Sequence, residues 1–194
     1  MISAIVLAAG QSVRMGRQKM LLPWGGTTVI GRVLSILVEA GLDDIYVVTG
    51  GIHAELTELL QGSAARLVYN PSYANGEMLT SVQVGLKDID DGADAALVVL
   101  GDQPQIEPDV VRKIVERYQA TRHDLIVPSY KMHRGHPWLV GKLYWEEILA
   151  LAPPLTLHEF LNSHNQVIDY LEVATSSVVQ DLDTQEDYSK YKPG

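Results

Sequence analysis

Three cations, Arg14, Arg17 and Lys19, fall within six residues just after the small-residue turn Ala8-Ala9-Gly10. That turn leaves an apolar run from Ile2 to Leu7 that reads as a buried strand. Small residues let the backbone approach a bulky group, and oriented backbone N–H groups with cations beside them favour an anion. The stretch therefore reads as a phosphate cradle. A second apolar run, Ala95 to Leu100, ends abruptly in Gly101-Asp102-Gln103-Pro104. In open α/β sheets ligands sit beyond the carboxyl ends of strands, where strand order reverses. If these two strands are neighbours at that point, Asp102 faces the cradle, and a carboxylate opposite phosphates calls for a cation between them.

The spacing excludes the two common nucleotide loops. Five residues separate Gly10 from Gly16, and Arg17 stands where a Walker A loop carries Lys-Ser/Thr. No G-x-G-x-x-G follows the strand, so a dinucleotide-binding loop is unsupported. The plain alternative is an ordinary tight turn with solvated cations.

The elements that must position these residues alternate. Thr27 or Thr28 caps a helix to about Ala40, with Val29, Ile30, Val33, Leu34, Leu37 and Val38 expected on its inner face and Gly41 as its C-terminal cap. Strands are expected at Ile45–Thr49 and Arg66–Tyr69, with a short helix His53–Leu60 between them. A polar connection from Asn70 to Glu77 leads to a helix over Met78–Leu86. Pro108 opens a helix to Thr121 at the position proline prefers. Leu125–Pro128 and Pro137–Val140 read as strands flanking the loop Tyr130–His136, Tyr144–Leu151 and Leu157–Asn162 as helices, and Val167–Val173 and Val178-Val179 as short strands. Asp183–Tyr191 closes the chain. The alternation, with several strands fully apolar, predicts an α/β fold on a mainly parallel sheet flanked by helices. No internal repeat or linker divides it, so residues 1–194 read as a single domain.

Composition narrows the function classes. The chain has 194 residues, enough for a complete core, with 46% hydrophobic residues. It carries 24 acidic and 15 basic residues, a net charge of −9 that opposes generic binding to nucleic acid or anionic membranes. Against that field the cluster from Arg14 to Lys19 suits one small anionic ligand. No apolar run approaches the ~18 residues of a membrane span, and a secretory leader is not expected. The absence of cysteine excludes disulfides, thiolate metal sites and cysteine nucleophiles. A cytoplasmic location is the expectation.

Several separate motifs, in order along nearly the whole chain, carry a family resemblance. Leu7-Ala8-Ala9-Gly10-x-Ser12-x-Arg14-Met15-Gly16-x-x-Lys19 is similar to the signature loop of nucleotidyltransferases of the MobA-like type. The resemblance continues through Asn70-Pro71 with Gly76 and Ser81, Leu100-Gly101-Asp102-Gln103-Pro104, Arg134-Gly135-His136-Pro137 and Asp181-Leu182-Asp183-Thr184. Within the family, Ala9 and Gln103 look most like the molybdenum cofactor cytidylyltransferases; the guanylyltransferase relatives carry a second glycine in place of Ala9.

The resemblance implies a Rossmann-like, GT-A-like fold and transfer of CMP from CTP to the terminal phosphate of molybdopterin, with release of pyrophosphate. Arg14, Lys19 and Asp102 would be catalytic, the two cations holding the triphosphate. Leu7, Ala8, Ala9, Gly10, Asn70, Ser81 and Gly101 would join them in binding the nucleotide. Asp102 and Asp183 are the implied Mg²⁺ ligands, hard oxygen donors that bridge the ion to substrate phosphates. Gln185 stands where the family usually has proline. For Asp183 the alternative is an N-cap of the last helix, and for Asn70-Pro71 a surface turn. Arg134 and His136 are expected on the acceptor side, His136 equally reading as a packed histidine. A recipient molybdoenzyme would be a further partner. Competing readings are another phosphorylated acceptor or GTP on the same fold, and a non-catalytic factor that delivers the cofactor.

Overall fold

The computed structural model describes residues 1–10, 17–74 and 78–193. Its centre is β1 (Ile2–Ala8), which pairs in parallel with β4 (Ile45–Thr49) on one side and β6 (Ala95–Leu100) on the other. β1 is buried on both faces because its side chains alternate. Ala4, Val6 and Ala8 join one core and Ile5 the other.

The first core is completed by α1 (Val29–Glu39) and α4 (Pro108–Thr121), through Ile30, Val33, Leu37, Val110, Val111 and Ile114. The second is completed by α3 (Met78–Asp88), α5 (Trp145–Ala150) and α6 (Leu157–Ser163), with Leu79, Val82, Trp145 and Phe160. Helices thus cover both faces, as a buried parallel sheet requires. A short helix, α2 (His53–Leu59), links β4 to β5 (Arg66–Tyr69) and adds Leu56 to the first core.

The remaining strands are β7 (Leu125–Tyr130), β8 (His133–Arg134), β9 (Trp138–Gly141) and β10 (Asp169–Glu172). The sheet order is β10-β7-β9-β6-β1-β4-β5, with β8 paired to β7. β9 is antiparallel to both of its neighbours, whereas β1, β4, β5 and β6 form one parallel block. The chain builds outward from β1 to β4 and β5, then crosses to β6 on the other side. The order therefore reverses between β1 and β6, with Leu7 opposite Leu100. This is where ligands bind in such sheets.

A small hairpin of β2 (Pro23–Trp24) and β3 (Thr27–Thr28) precedes α1, and α7 (Gln185–Tyr191) packs back onto it. Trp24, Val29, Leu182 and Tyr188 make that separate apolar cluster, and the Tyr188 hydroxyl donates to the Pro23 carbonyl.

Three local expectations are corrected. Val38 is 57% exposed, and Ile36 is buried in its place, because α1 also packs against α4 and its apolar stripe turns toward that helix. Ser176–Val179 is a 3₁₀ turn rather than a strand: Thr175 caps it by accepting from the Ser177 N–H. The loop between the 125 and 138 strands contains β8, closed by Lys131 and Met132 at positive φ. Among the described residues, no helix is long and apolar enough to cross a membrane.

Candidate active site

A cavity of about 310 Å³ opens beyond the carboxyl ends of β1 and β6. Leu7, Ala9 and Gly10 line it from β1 and the turn after it, Leu100 and Asp102 from β6, and Ser81 from α3. The two strand ends meet closely because Gly101 has no side chain. A Cβ there would lie 2.8 Å from the Leu7 carbonyl oxygen, to which the Gly101 N–H donates at 3.0 Å. Ala8, by contrast, points into the core.

Lys19 sits on a short 3₁₀ turn, Lys19–Leu21, anchored by Met20, which is buried in the first core. Its ammonium donates to Asp102 Oδ2 at 3.0 Å and to Asp183 Oδ1 at 2.8 Å. Burial disfavours the Lys19 charge, but the two carboxylates outweigh it and hold its pKa above the ordinary lysine value. Burial also pushes Asp102 above the usual carboxylate range, against the pull of Lys19 and with a smaller push from Asp181.

The segment carrying Asp181 and Asp183 is aimed by the residue between them. Leu182 is fully buried against Trp24, Val29 and Tyr188, so in an extended chain its two neighbours turn the other way. Both aspartates line the cavity. The N-cap of α7 is Thr184, in a reciprocal capping box with Asp187, so Asp183 is not spent as a cap. This settles the alternative reading of Asp183 against capping.

Several inward groups hold that segment from behind. The Gln103 side-chain amide donates to Asp181 Oδ1 at 2.7 Å, and that of Gln105 donates to the Gln180 carbonyl. The Arg134–Pro137 turn docks on the 3₁₀ turn: the His136 N–H donates to the Val178 carbonyl at 2.9 Å. Gly135 is required there, since a Cβ would lie 2.5 Å from that same oxygen.

His136 is half-buried with its Nδ1 shielded from solvent, and desolvation lowers its pKa to about 4 against the opposing field of Asp181. It is a neutral, packed histidine at neutral pH. Arg134 is held at the surface, its guanidinium donating to Tyr170 Oη (2.8 Å), Asn162 Oδ1 (2.6 Å) and Asn165 Oδ1 (2.8 Å). Neither residue lines the cavity.

Asn70 is fully buried, and its side-chain amide donates to Ser81 Oγ at 3.0 Å and Thr80 Oγ1 at 3.2 Å, while its Oδ1 accepts from the Ser72 N–H. It ties the connection after β5 to α3, leaving Ser81 as the member of that pair on the cavity wall. Arg14, with Ser12, Met15, Gly16 and Gly76 of the motifs, lies outside the described residues.

The structure adds Asp181, Tyr73, Met20 and Met78 to the cavity. Asp181 had a sequence signal, since two aspartates flank one leucine and alternate in an extended segment. Tyr73 had one too, as the single aromatic between Asn70 and Glu77.

The donor set fits a hard divalent cation. Two carboxylates converge on one point, and the Lys19 ammonium stands between them as a built-in cation. Among the described residues no group of three or more His, Asp or Glu side chains is arranged to hold a metal. An ion completing its shell with water and substrate phosphates needs only one or two protein carboxylates.

Residues 4–167 match the MobA-like NTP transferase domain. Over 190 residues the chain is 29% identical to the molybdenum cofactor cytidylyltransferase of Escherichia coli, covering 96% of this chain and 93% of that one. Its fold matches that of Rv0371c from Mycobacterium tuberculosis with a TM-score of 0.84 at 28% identity, over 97% and 96% of the two chains. Rv0371c has also been solved in complex with manganese, and that structure superposes with a TM-score of 0.80. A nucleotidyl transferase from Methanothermobacter thermautotroptrophicus matches with a TM-score of 0.83 at 25% identity, covering 99% of this chain and 96% of that one. The domain match over most of the chain, on a sheet whose reversal point carries the cation and the paired carboxylates, places this protein in the MobA-like NTP transferase family, as a nucleotidyltransferase.

Proposed function

We propose that this protein transfers CMP from CTP to the terminal phosphate of molybdopterin and releases pyrophosphate, with Mg²⁺ as the divalent ion. The observation that carries the reading is the Lys19 ammonium bridging Asp102 and Asp183 at the end of β1 and β6, a charge arrangement made for a cation and polyphosphate. The similarity to a molybdenum cofactor cytidylyltransferase over almost the full length supports the choice of substrates.

In this reaction a terminal phosphate oxygen of the acceptor attacks the α-phosphorus of CTP. The bond from that phosphorus to the bridging oxygen breaks, and pyrophosphate leaves with the electron pair. The attacking phosphate is already ionised, so no side chain needs to remove a proton. Positioning and charge neutralisation carry the rate.

Lys19 and Arg14 would hold the β and γ phosphates. Asp102 and Asp183 would hold Mg²⁺, which when bound neutralises the triphosphate and stabilises the leaving group. Ala9 and Gly10 keep the backbone bare where the nucleotide enters.

The test is a pyrophosphate-release assay with CTP, Mg²⁺ and molybdopterin. Release that depends on all three supports the reading. A clear preference for GTP or for a sugar phosphate overturns it, and so does stoichiometric handover of the cofactor with no nucleotide consumed.

A further inference from the structure

Where the base of the nucleotide lies is not set by the cations and carboxylates, which belong to the phosphates. We infer that Tyr73 is the aromatic wall against which the base packs, and that Gly50 and Gly51 fix its place. The inference rests on the nucleotide reading of the cavity proposed above.

Tyr73 lines the same cavity as Ala9, Gly10 and Ser81. It reaches Ala9 across Gly50, where the missing side chain is the whole separation. A Cβ on Gly50 would lie 2.7 Å from the Ala9 carbonyl oxygen and 2.7 Å from Tyr73 Cβ. The end of β1, the end of β4 and the connection after β5 therefore converge on one point without a side chain between them. Gly51 extends this seat, since a Cβ there would come within 3.1 Å of Tyr73 Cε2. Two glycines in succession make a slot shaped for the flat ring.

The ring is also held from outside the cavity. Tyr69 stands 6.3 Å from it between centroids, tilted by 56°, and His53 stands 5.2 Å from Tyr69. His53 Nδ1 is 2.6 Å from Thr49 Oγ1, which ties this ladder to the end of β4. The Tyr73 N–H donates to the Asn70 carbonyl, and Asn70 is itself locked to α3 through Ser81 and Thr80. A partly exposed tyrosine in a polar connection would ordinarily be a mobile surface group. Here its backbone, its seat and its outer neighbour are all fixed.

The chemistry of that wall suits a planar heterocycle. Every nucleobase presents a π face, and stacking on an aromatic side chain contributes to affinity without demanding one particular base. Tyr73 thus supplies binding, leaving discrimination between bases to the backbone at Ala9. A pterin ring has similar faces, but Tyr73 meets the Ala9 strand end across Gly50, and Ala9 with Gly10 is where the nucleotide is proposed to enter. The base of that same molecule is the group this position reaches.

The experiment compares CTP with inorganic tripolyphosphate, which has the charges but no base. Binding of each would be measured by calorimetry, with Mg²⁺ present, for wild type and for Tyr73→Ala, Tyr73→Leu and Tyr73→Phe. The expected result is a loss of CTP affinity on the order of tenfold or more in the Ala and Leu variants. Tripolyphosphate affinity stays unchanged, and Tyr73→Phe stays within about twofold of wild type. Gly51→Ala, which crowds the ring without removing it, gives the same selective loss.

Equal losses for CTP and tripolyphosphate would overturn the assignment, because they would mark a collapsed loop. Unchanged CTP affinity in Tyr73→Ala would overturn it as well, and so would a loss confined to the KM for molybdopterin. If wild type binds CTP but prefers another acceptor, the acceptor reading fails while the base assignment stands on its own.

Discussion

Replacing Lys19 by methionine separates the charge from the shape of its side chain. The ammonium lies 3.0 Å from Asp102 and 2.8 Å from Asp183, with 11% of the lysine side chain exposed against 22% and 42% for the two carboxylates. Removing one partner from a buried ion pair typically costs about 3–5 kcal/mol. The exposure of Asp183 allows water to relieve part of that, so about 2 kcal/mol is the expected loss. In a chain of this length that corresponds to a fall in Tm of roughly 4–8 °C, measured in chelator.

The sign reverses when a divalent cation is added. If Asp102 and Asp183 hold the ion as proposed, in wild type it competes with Lys19 for them, so Mn²⁺ alone is expected to bind weakly, and triphosphate, by drawing the ammonium away, to strengthen that binding. In Lys19→Met that competitor is gone, so Mn²⁺ alone is expected to raise Tm further than it does in wild type. Electron paramagnetic resonance titration of Mn²⁺ without nucleotide shows the same difference directly. A Tm in chelator equal to that of wild type, together with equal Mn²⁺ affinity for both proteins, would refute the reasoning.

Asp102→Asn is expected to abolish the proposed CMP transfer while keeping the native circular dichroism spectrum, with a fall in Tm no larger than that of Lys19→Met; transfer at the wild-type rate in Mg²⁺ would remove Asp102 from the site. Burial lowers His136 from 6.5 to about 4, so the unfolded chain takes up its proton first as pH falls. The stability this histidine contributes is therefore complete above about pH 6.5 and lost progressively toward pH 4, amounting to about 3 kcal/mol. His136→Gln should flatten the stability profile in that window, even though Asp181 faces the ring, and an unchanged slope would show that His136 does not carry it. Ala9 lines the cavity, and if the base packs there as proposed its methyl group narrows the seat, so calorimetry should show CTP binding more tightly than GTP, with Ala9→Gly reducing the difference.

How much of this was legible in the sequence follows from how far each determinant reaches along the chain. β1 and β6 declare themselves as unbroken apolar runs, and the rule that ligands sit where strand order reverses points Asp102 at the cradle if the two are neighbours, as their parallel pairing shows them to be. Gly41 at φ +86° and Pro108 in the first turn of α4 mark helix ends by local chemistry alone. Errors arose where a second element decides the outcome: Val38 lies on the stripe of an isolated helix, and only the packing of α1 against α4 turns it to solvent.

The carboxylate segment shows the same limit most sharply. Asp181 and Asp183 face the cavity because Leu182 is buried against Trp24 and Tyr188, and no local pattern links a leucine near the C-terminus to a hairpin near the N-terminus. The Arg134–Pro137 motif makes the complementary point. Its residue types suggest a cationic acceptor site, yet Gly135 and His136 serve as a backing against which Val178 docks, and that docking steadies the strand of chain that ends in Asp181. A motif can thus shape a cavity without lining it.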